Sequence, residues 1–187
     1  MNDNELEGIF AFINQAENLK NTLRHAFTST GKQESAAEHS WRLCLLIMAC
    51  AGRFPHLSLE KLLKLAVIHD LPEAVCGDTP APKQGDHQEK TALERAGLAR
   101  LTASLPPPLQ RELTALWEEY EAASTEEAKC VKALDKIETL MQHNQGKNPP
   151  DFDYAFNLGY ATAATDADKT AAELRSLVDA GTRSRMQ

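Results

Sequence analysis

Helix-start and helix-stop signals recur along this chain, whereas strand signals are nearly absent: β-branched residues are sparse and no long stretch alternates apolar with polar residues. An all-α fold is therefore expected. A first helix is expected over Glu5 to Ala16, with Leu6, Ile9, Phe10 and Ile13 on one face, followed by an irregular connection from Leu19 to Lys32. Ser35 with Glu38 three residues later forms a capping box, in which each side chain satisfies a free backbone N–H of the first turn, so a second helix should run from there to about Arg53, before Pro55. Ser58 caps a third helix over Leu59 to about Asp70, which Pro72 bends or ends because it has no N–H to donate. Cys76-Gly77-Asp78-Thr79-Pro80-Ala81-Pro82 reads as a loop. Further helices are expected over His87 to Ser104, from Pro106-Pro107-Pro108 to near Glu121, and from Ser124, with Glu127 completing a second capping box, to about Asn144. Beyond Lys147-Asn148-Pro149-Pro150, weaker helices fall near Phe152 to Tyr160 and Asp166 to Ala180.

The 187 residues suit one domain spanning positions 1–187, long enough to bury a core without disulfides or zinc. Apolar residues make up 42% and charged residues 25%, which suggests neither disorder nor a membrane span. Asn2-Asp3-Asn4-Glu5 lacks the basic-then-apolar pattern of a secretory signal, so a cytoplasmic location is expected. The four cysteines include no C-x-x-C pair, and reduced thiols are expected. A net charge of -7 opposes non-specific attraction to a nucleic-acid backbone, but it does not oppose a small phosphate substrate, because a bound cation can supply local positive charge.

Helical spacing places ionisable groups on apolar faces of three helices. His39 shares a face with Leu43, Leu46, Ile47 and Cys50; the stripe through Leu59, Leu62, Leu63 and Ala66 ends at His69-Asp70; Val131 and Leu134 flank Asp135. Buried carboxylates are costly unless paired or bound to metal, and one ion shared by His39, His69, Asp70 and Asp135 solves the burial of all four. Two imidazoles and two carboxylates suit manganese, iron, cobalt, nickel or zinc better than calcium. Taken singly, each residue has a plainer reading: His39 as a hydrogen-bonded core histidine, Asp135 as an ion-pair partner of Lys132.

The segments ESAAEHSWR (Glu34 to Arg42), AVIHDLPEAVCGDTPAPK (Ala66 to Lys83), ELTALWEEYE (Glu112 to Glu121) and EEAKCVKALDKIETLMQ (Glu126 to Gln142) resemble the HD-domain 5'-deoxynucleotidase family in order, spacing and surrounding text, over about Leu19 to Asn144. The resemblance implies a helical bundle of the HD-domain type that forms homodimers and hydrolyses nucleoside 5'-monophosphates with one divalent cation (Mn, Co, Fe, Ni, Mg or Zn) held by His39, His69, Asp70 and Asp135. It further implies that Glu73 is catalytic, that Asp78 is associated with the attacking water, and that Arg24 contacts the substrate phosphate. Asp78 as a turn-forming Asx residue and Arg24 as a surface charge are the plainer alternatives.

One departure concerns the sugar. The well-matched bacterial branch carries a Trp after the phosphate-binding arginine, where this chain has His25, which puts the preference for deoxy over ribo substrates in question and offers a hydrogen bond to a ribose hydroxyl. Lys83 follows the Pro-rich loop and can meet phosphate or remain solvated. Trp41 and Trp117 are expected to pack between helices, and Glu118 to Glu121 to form an exposed acidic patch, although the family resemblance places Glu118 near the pocket. The main alternatives are an HD phosphohydrolase acting on a di- or triphosphate or a cyclic phosphodiester, and a non-catalytic helical metal-binding module.

Overall fold

The computed structural model describes residues 3–79 and 86–187. Its helices are α1 (Asp3–Ala16), α2 (Ala36–Cys50), α3 (Leu59–Ile68), α4 (Glu73–Cys76), α5 (His87–Leu101), α6 (Pro107–Ala122), α7 (Glu126–Gln145), α8 (Tyr154–Gly159), α9 (Thr162–Thr165) and α10 (Lys169–Arg185). The expected helices are present, with ends shifted by a few residues. The capping box forms at Ser35: its side chain accepts from Glu38 N–H while Glu38 accepts from Ser35 N–H. The second box, expected from Ser124 and Glu127, does not form: Ala123 turns left-handed to close α6, and Thr125 caps α7 alone, accepting from Ala128 N–H at 3.2 Å, because the alanine at that third position has no side chain to bond back.

α7 is the central rod. It packs against α2, α3, α6, α9 and α10 and supplies Val131, Leu134, Ile137 and Leu140 to a core shared with Leu43, Ile47, Leu62 and Leu65. A second apolar cluster joins Trp117 to Ala36, Ile68, Leu71, Leu98 and Leu101. At about 25 cal/mol per Å² of apolar surface, each fully buried Leu or Ile contributes roughly 2 kcal/mol, so these two clusters fix the angles at which α2, α3 and α7 meet.

Three expectations are corrected. Within the connection expected to be irregular lies an antiparallel hairpin, β1 (Leu23–Phe27) and β2 (Gln33–Ser35), pairing Leu23 with Ser35 and Phe27 with Gln33. It is seated on the end of α7: the Gln142 amide donates to Phe27 O at 2.7 Å, and Gly146 lies so close that a Cβ there would sit 2.4 Å from the same oxygen. The α1 stripe of Leu6, Phe10 and Ile13 is exposed; the helix packs through its other side, where Phe12 and Ala16 reach the second cluster. Trp117 is buried as expected, but Trp41 is 64% exposed. Among the described residues, no helix is long and apolar enough to cross a membrane.

Candidate metal centre and cavity

The site is assembled from helix positions that the packing leaves no freedom to redirect. On α7, Asp135, Glu138, Thr139 and Gln142 occupy spacings of three, four and seven, so all four lie on the buried face. His39 stands early in α2, placed by the Ser35 cap. α3 ends at Ile68, and His69-Asp70 fall in the break before α4, where Pro72 stands just ahead of Glu73.

These elements converge. His39 Nε2 lies 3.1 Å from Asp135 Oδ1 and 3.8 Å from Asp70 Oδ2, while His69 Nε2 lies 3.2 Å from Asp70 Oδ2 and 4.0 Å from Asp135 Oδ1. Both rings turn Nε2 toward the two carboxylates and anchor Nδ1 elsewhere. His69 Nδ1 is 2.8 Å from Ala66 O, an oxygen that can only accept, so Nδ1 carries the proton and Nε2 keeps its lone pair. His39 Nδ1 contacts the Glu138 carboxylate, which orients that ring in the same way. His69 Nε2 is buried without a hydrogen-bond partner, an orphaned lone pair facing the two carboxylates. The donor set therefore fits a divalent cation: ligand atoms of His39, His69 and Asp70 lie within 4.8 Å of one another, and Asp135 Oδ1 adds a second carboxylate 3.1 and 4.0 Å from the two ring nitrogens. His39 also belongs to a second compact trio, with Glu34 and Glu138, but there its contribution is the protonated Nδ1.

Charge around the cluster is heavily compensated. Burial works against ionisation of Asp70, yet His69, Arg24 and His39 hold its carboxyl below the usual range. Asp135 is likewise held low against burial, chiefly by Lys136, whose Nζ is 2.9 Å from Oδ2, and by His39 and His69; the buried Tyr120 hydroxyl donates to the same Oδ2 at 2.9 Å. Burial and Arg24 oppose charge on His39, but Glu138 and Asp135 raise its pKa to about 9. Arg24 reaches in from β1, donating to Asp70 Oδ2 at 3.1 Å and to Thr139 Oγ1 at 3.0 Å.

Beside the cluster, burial together with the charges of Asp70 and Asp78 pushes the Glu73 carboxyl up to about 10, and one of its oxygens is buried with no hydrogen-bond partner. Asp78 is raised too, by burial, with Arg24 opposing the rise and Asp70 adding to it. Gly77, at φ 78°, adopts the left-handed turn that carries the chain from α4 to Asp78.

His69, Asp70, Asp135, Glu73, Asp78 and Arg24 line one cavity of about 580 Å³, and His25 lines it too; His39 stands behind, fully buried. The size suits a small organic ligand. Lys83 lies outside the described residues. Several lining groups were not singled out in the sequence. Tyr120 and Glu121 belong to the patch expected to be exposed, yet Tyr120 is buried and Glu121 faces the cavity, while Glu118 stays outside, paired with Arg95. Asp135 finds Lys136 rather than Lys132 as its ion-pair partner. Glu138 was legible in principle, since it stands one helical turn beyond Asp135 on the same face.

The profile of the HD domain family matches residues 16–175. The mouse (Mus musculus) protein named 5'-deoxynucleotidase HDDC2 is 34% identical over 140 residues, which cover 74% of this chain and 69% of that protein. The Schizosaccharomyces pombe protein named 5'-deoxynucleotidase hdd1 is 36% identical over 148 residues, 76% of this chain and 74% of that one. Among solved structures, one described as a predicted metal-dependent phosphohydrolase from Magnetospirillum magnetotacticum superposes with a TM-score of 0.81 at 29% identity, covering 97% of both chains.

Proposed function

Because this chain belongs to the HD domain family, we propose that it is a metal-dependent phosphohydrolase that cleaves nucleoside 5'-monophosphates, 2'-deoxyribonucleotides foremost, to nucleoside and phosphate. The observation that carries this reading is the convergence of His39, His69, Asp70 and Asp135 at one end of a nucleotide-sized cavity that also presents Glu73, Asp78 and Arg24.

A divalent cation in that donor set polarises a phosphoryl oxygen and makes water more acidic. Arg24 offers a planar fork to the phosphate oxygens that do not react, and Lys136 adds charge from α7. In-line attack by water on phosphorus breaks the bond to the 5'-oxygen; the water loses a proton and the departing oxygen gains one. Glu73 and Asp78 serve those transfers. The Glu73 carboxyl, pushed up to about 10 beside Asp70, is drawn down toward neutral pH by positive charge brought next to Asp70, where a carboxyl can both accept and return a proton, and Asp78 stands beside it as a second carboxyl. Location in the cytoplasm and assembly as a homodimer belong to the same reading. For the dimer, α2 offers exposed Trp41, Leu45 and Met48, spaced four and three residues apart.

The test is phosphate release from a panel of deoxy- and ribonucleoside mono-, di- and triphosphates with added manganese or cobalt. Monophosphates should be hydrolysed, and Glu73→Ala should lose turnover while retaining bound metal. Release from triphosphates alone would replace the reading with another HD phosphohydrolase activity. Absence of turnover from every substrate in wild type would leave a metal-binding module.

A further inference from the structure

One part of the cavity wall is built from the stretch after α7, residues 149–160, and its chemistry differs from that of the metal cluster. Phe152, Phe156 and Tyr160 line it together with Asp151, Asp153 and Asn157. The cations in contact with the cluster, Arg24 and Lys136, reach Asp70 and Asp135 directly, whereas the stretch after α7 brings Asp151 and Asp153 to the wall. A phosphomonoester is therefore drawn to Arg24 and Lys136, and whatever is attached to it can reach the aromatic residues.

Phe152 is held in place from several sides. Its N–H donates to Pro149 O at 3.1 Å in a tight turn, and its ring meets His143 and Tyr154 with centroids 4.9 Å away in each case. Tyr154 is itself fixed by donors from Asn148 at 2.9 Å and Arg185 at 2.7 Å, and Asn148 also donates to His143 O at 2.7 Å. Across the cavity wall, the exposed His25 ring lies within 15° of parallel to Phe152, at a centroid separation of 6.3 Å. An aromatic side chain so buttressed, still partly open to a cavity and matched by a near-parallel ring, is a stacking face at low entropic cost.

We propose that Phe152, with His25 beside it, is the nucleobase-stacking wall of this site, and that the segment after α7 recognises the base while the helices before it hold the phosphate. This rests on the phosphomonoesterase reading above, and the face is indifferent to base identity because every base presents a π face. Base–aromatic stacking corresponds to about five- to 150-fold in affinity per base.

The experiment compares dAMP with deoxyribose 5-phosphate, which lacks the base, in wild type, Phe152→Leu and Phe152→Tyr, all with manganese added and with folding checked by circular dichroism and Tm. Leucine keeps apolar volume without a π face; tyrosine keeps the ring. Phe152→Leu should raise KM for dAMP about tenfold with kcat within about twofold, leave deoxyribose 5-phosphate unchanged, and be rescued by Phe152→Tyr. Equal effects on both substrates, or none on dAMP, overturn the wall. Should wild type hydrolyse neither compound, the phosphohydrolase reading fails, and calorimetric binding of deoxyadenosine decides separately: binding by wild type that Phe152→Leu loses supports the wall, and equal or absent binding overturns it.

Discussion

The Nδ1 of His39 meets the carboxylate of Glu138, 99 positions further along the chain, on the same α7 face that carries Asp135. One helix thereby supplies both a carboxylate of the candidate metal centre and the group that orients the opposing imidazole. Carboxylates behind metal-bound histidines fix the tautomer and raise ligand basicity.

Glu138→Ala is therefore expected to weaken metal binding about 10- to 100-fold, in line with other outer-sphere partners of metal-bound histidines. Glu138→Gln, which still offers a carbonyl oxygen to the Nδ1–H, should lose less. Competition with a chromogenic chelator measures both. Equal affinity in wild type and Glu138→Ala would show that His39 needs no such orientation.

Chelation should lower thermal stability. A ligand that binds only the native state stabilises it by about 2.7 kcal/mol at one hundred times its Kd, which for a chain of this size is roughly 5–10 °C in Tm. Scanning calorimetry with and without a chelator reads this. The Asp135→Asn variant should show no such difference, and should itself be destabilised by about 3 kcal/mol because Lys136 loses the charge it faces.

How much of this was legible in the sequence depended on how local the cause was. The inward placement of His39, His69, Asp70 and Asp135 follows from helical spacing and from the Ser35 cap, both of which act within one or two turns. The β1–β2 hairpin was not legible, because Leu-Arg-His-Ala-Phe has little strand preference and owes its shape to distant partners, Gln142 and Gly146. Tyr120 was hidden among Glu118, Glu119 and Glu121, and only the approach of α7 shows that this one polar residue faces inward. In α1 the apolar stripe misled, since Gly8, whose Cβ would fall 2.0 Å from Ser104 O, decides which side can come close.

Glu73 gives the metal-free protein a pH dependence of defined sign. Its carboxyl is raised from 4.5 to about 10, so between those values the native state holds a proton that the unfolded chain has released. Stability from this group is full below pH 4.5 and is lost as pH rises, with a slope of at most about 1.4 kcal/mol per pH unit. Glu73→Gln should flatten that slope and make the metal-free protein more stable than wild type at pH 8, while abolishing turnover. Denaturant melts at pH 6 and 8 check it; parallel pH profiles for the two proteins would refute the assignment.

Arg175 carries the last prediction, which concerns the segment that bears the cavity's aromatic residues. Its buried guanidinium donates to the carbonyls of Asn157 and Leu158 at 2.9 Å each and of Tyr160 at 2.6 Å, and its Nε reaches Asp179 at 2.7 Å. Three carbonyls of the α8 end thus have one donor in common, and just beyond them Ala161 takes a left-handed conformation at φ 56° that a side chain adopts only under constraint. Arg175→Met fills much of the volume but leaves those oxygens and Asp179 without the cation. It should destabilise the protein by about 3 kcal/mol, since unpaired buried polar groups and a stranded charge both count against folding. Below the melting range, KM for dAMP should rise more than kcat falls, because Asn157 and Tyr160 belong to the stretch that brings the aromatic residues to the cavity, while the metal cluster is carried by α2, α7 and the break between α3 and α4. A fall in kcat with KM unchanged would instead tie this clamp to the metal cluster.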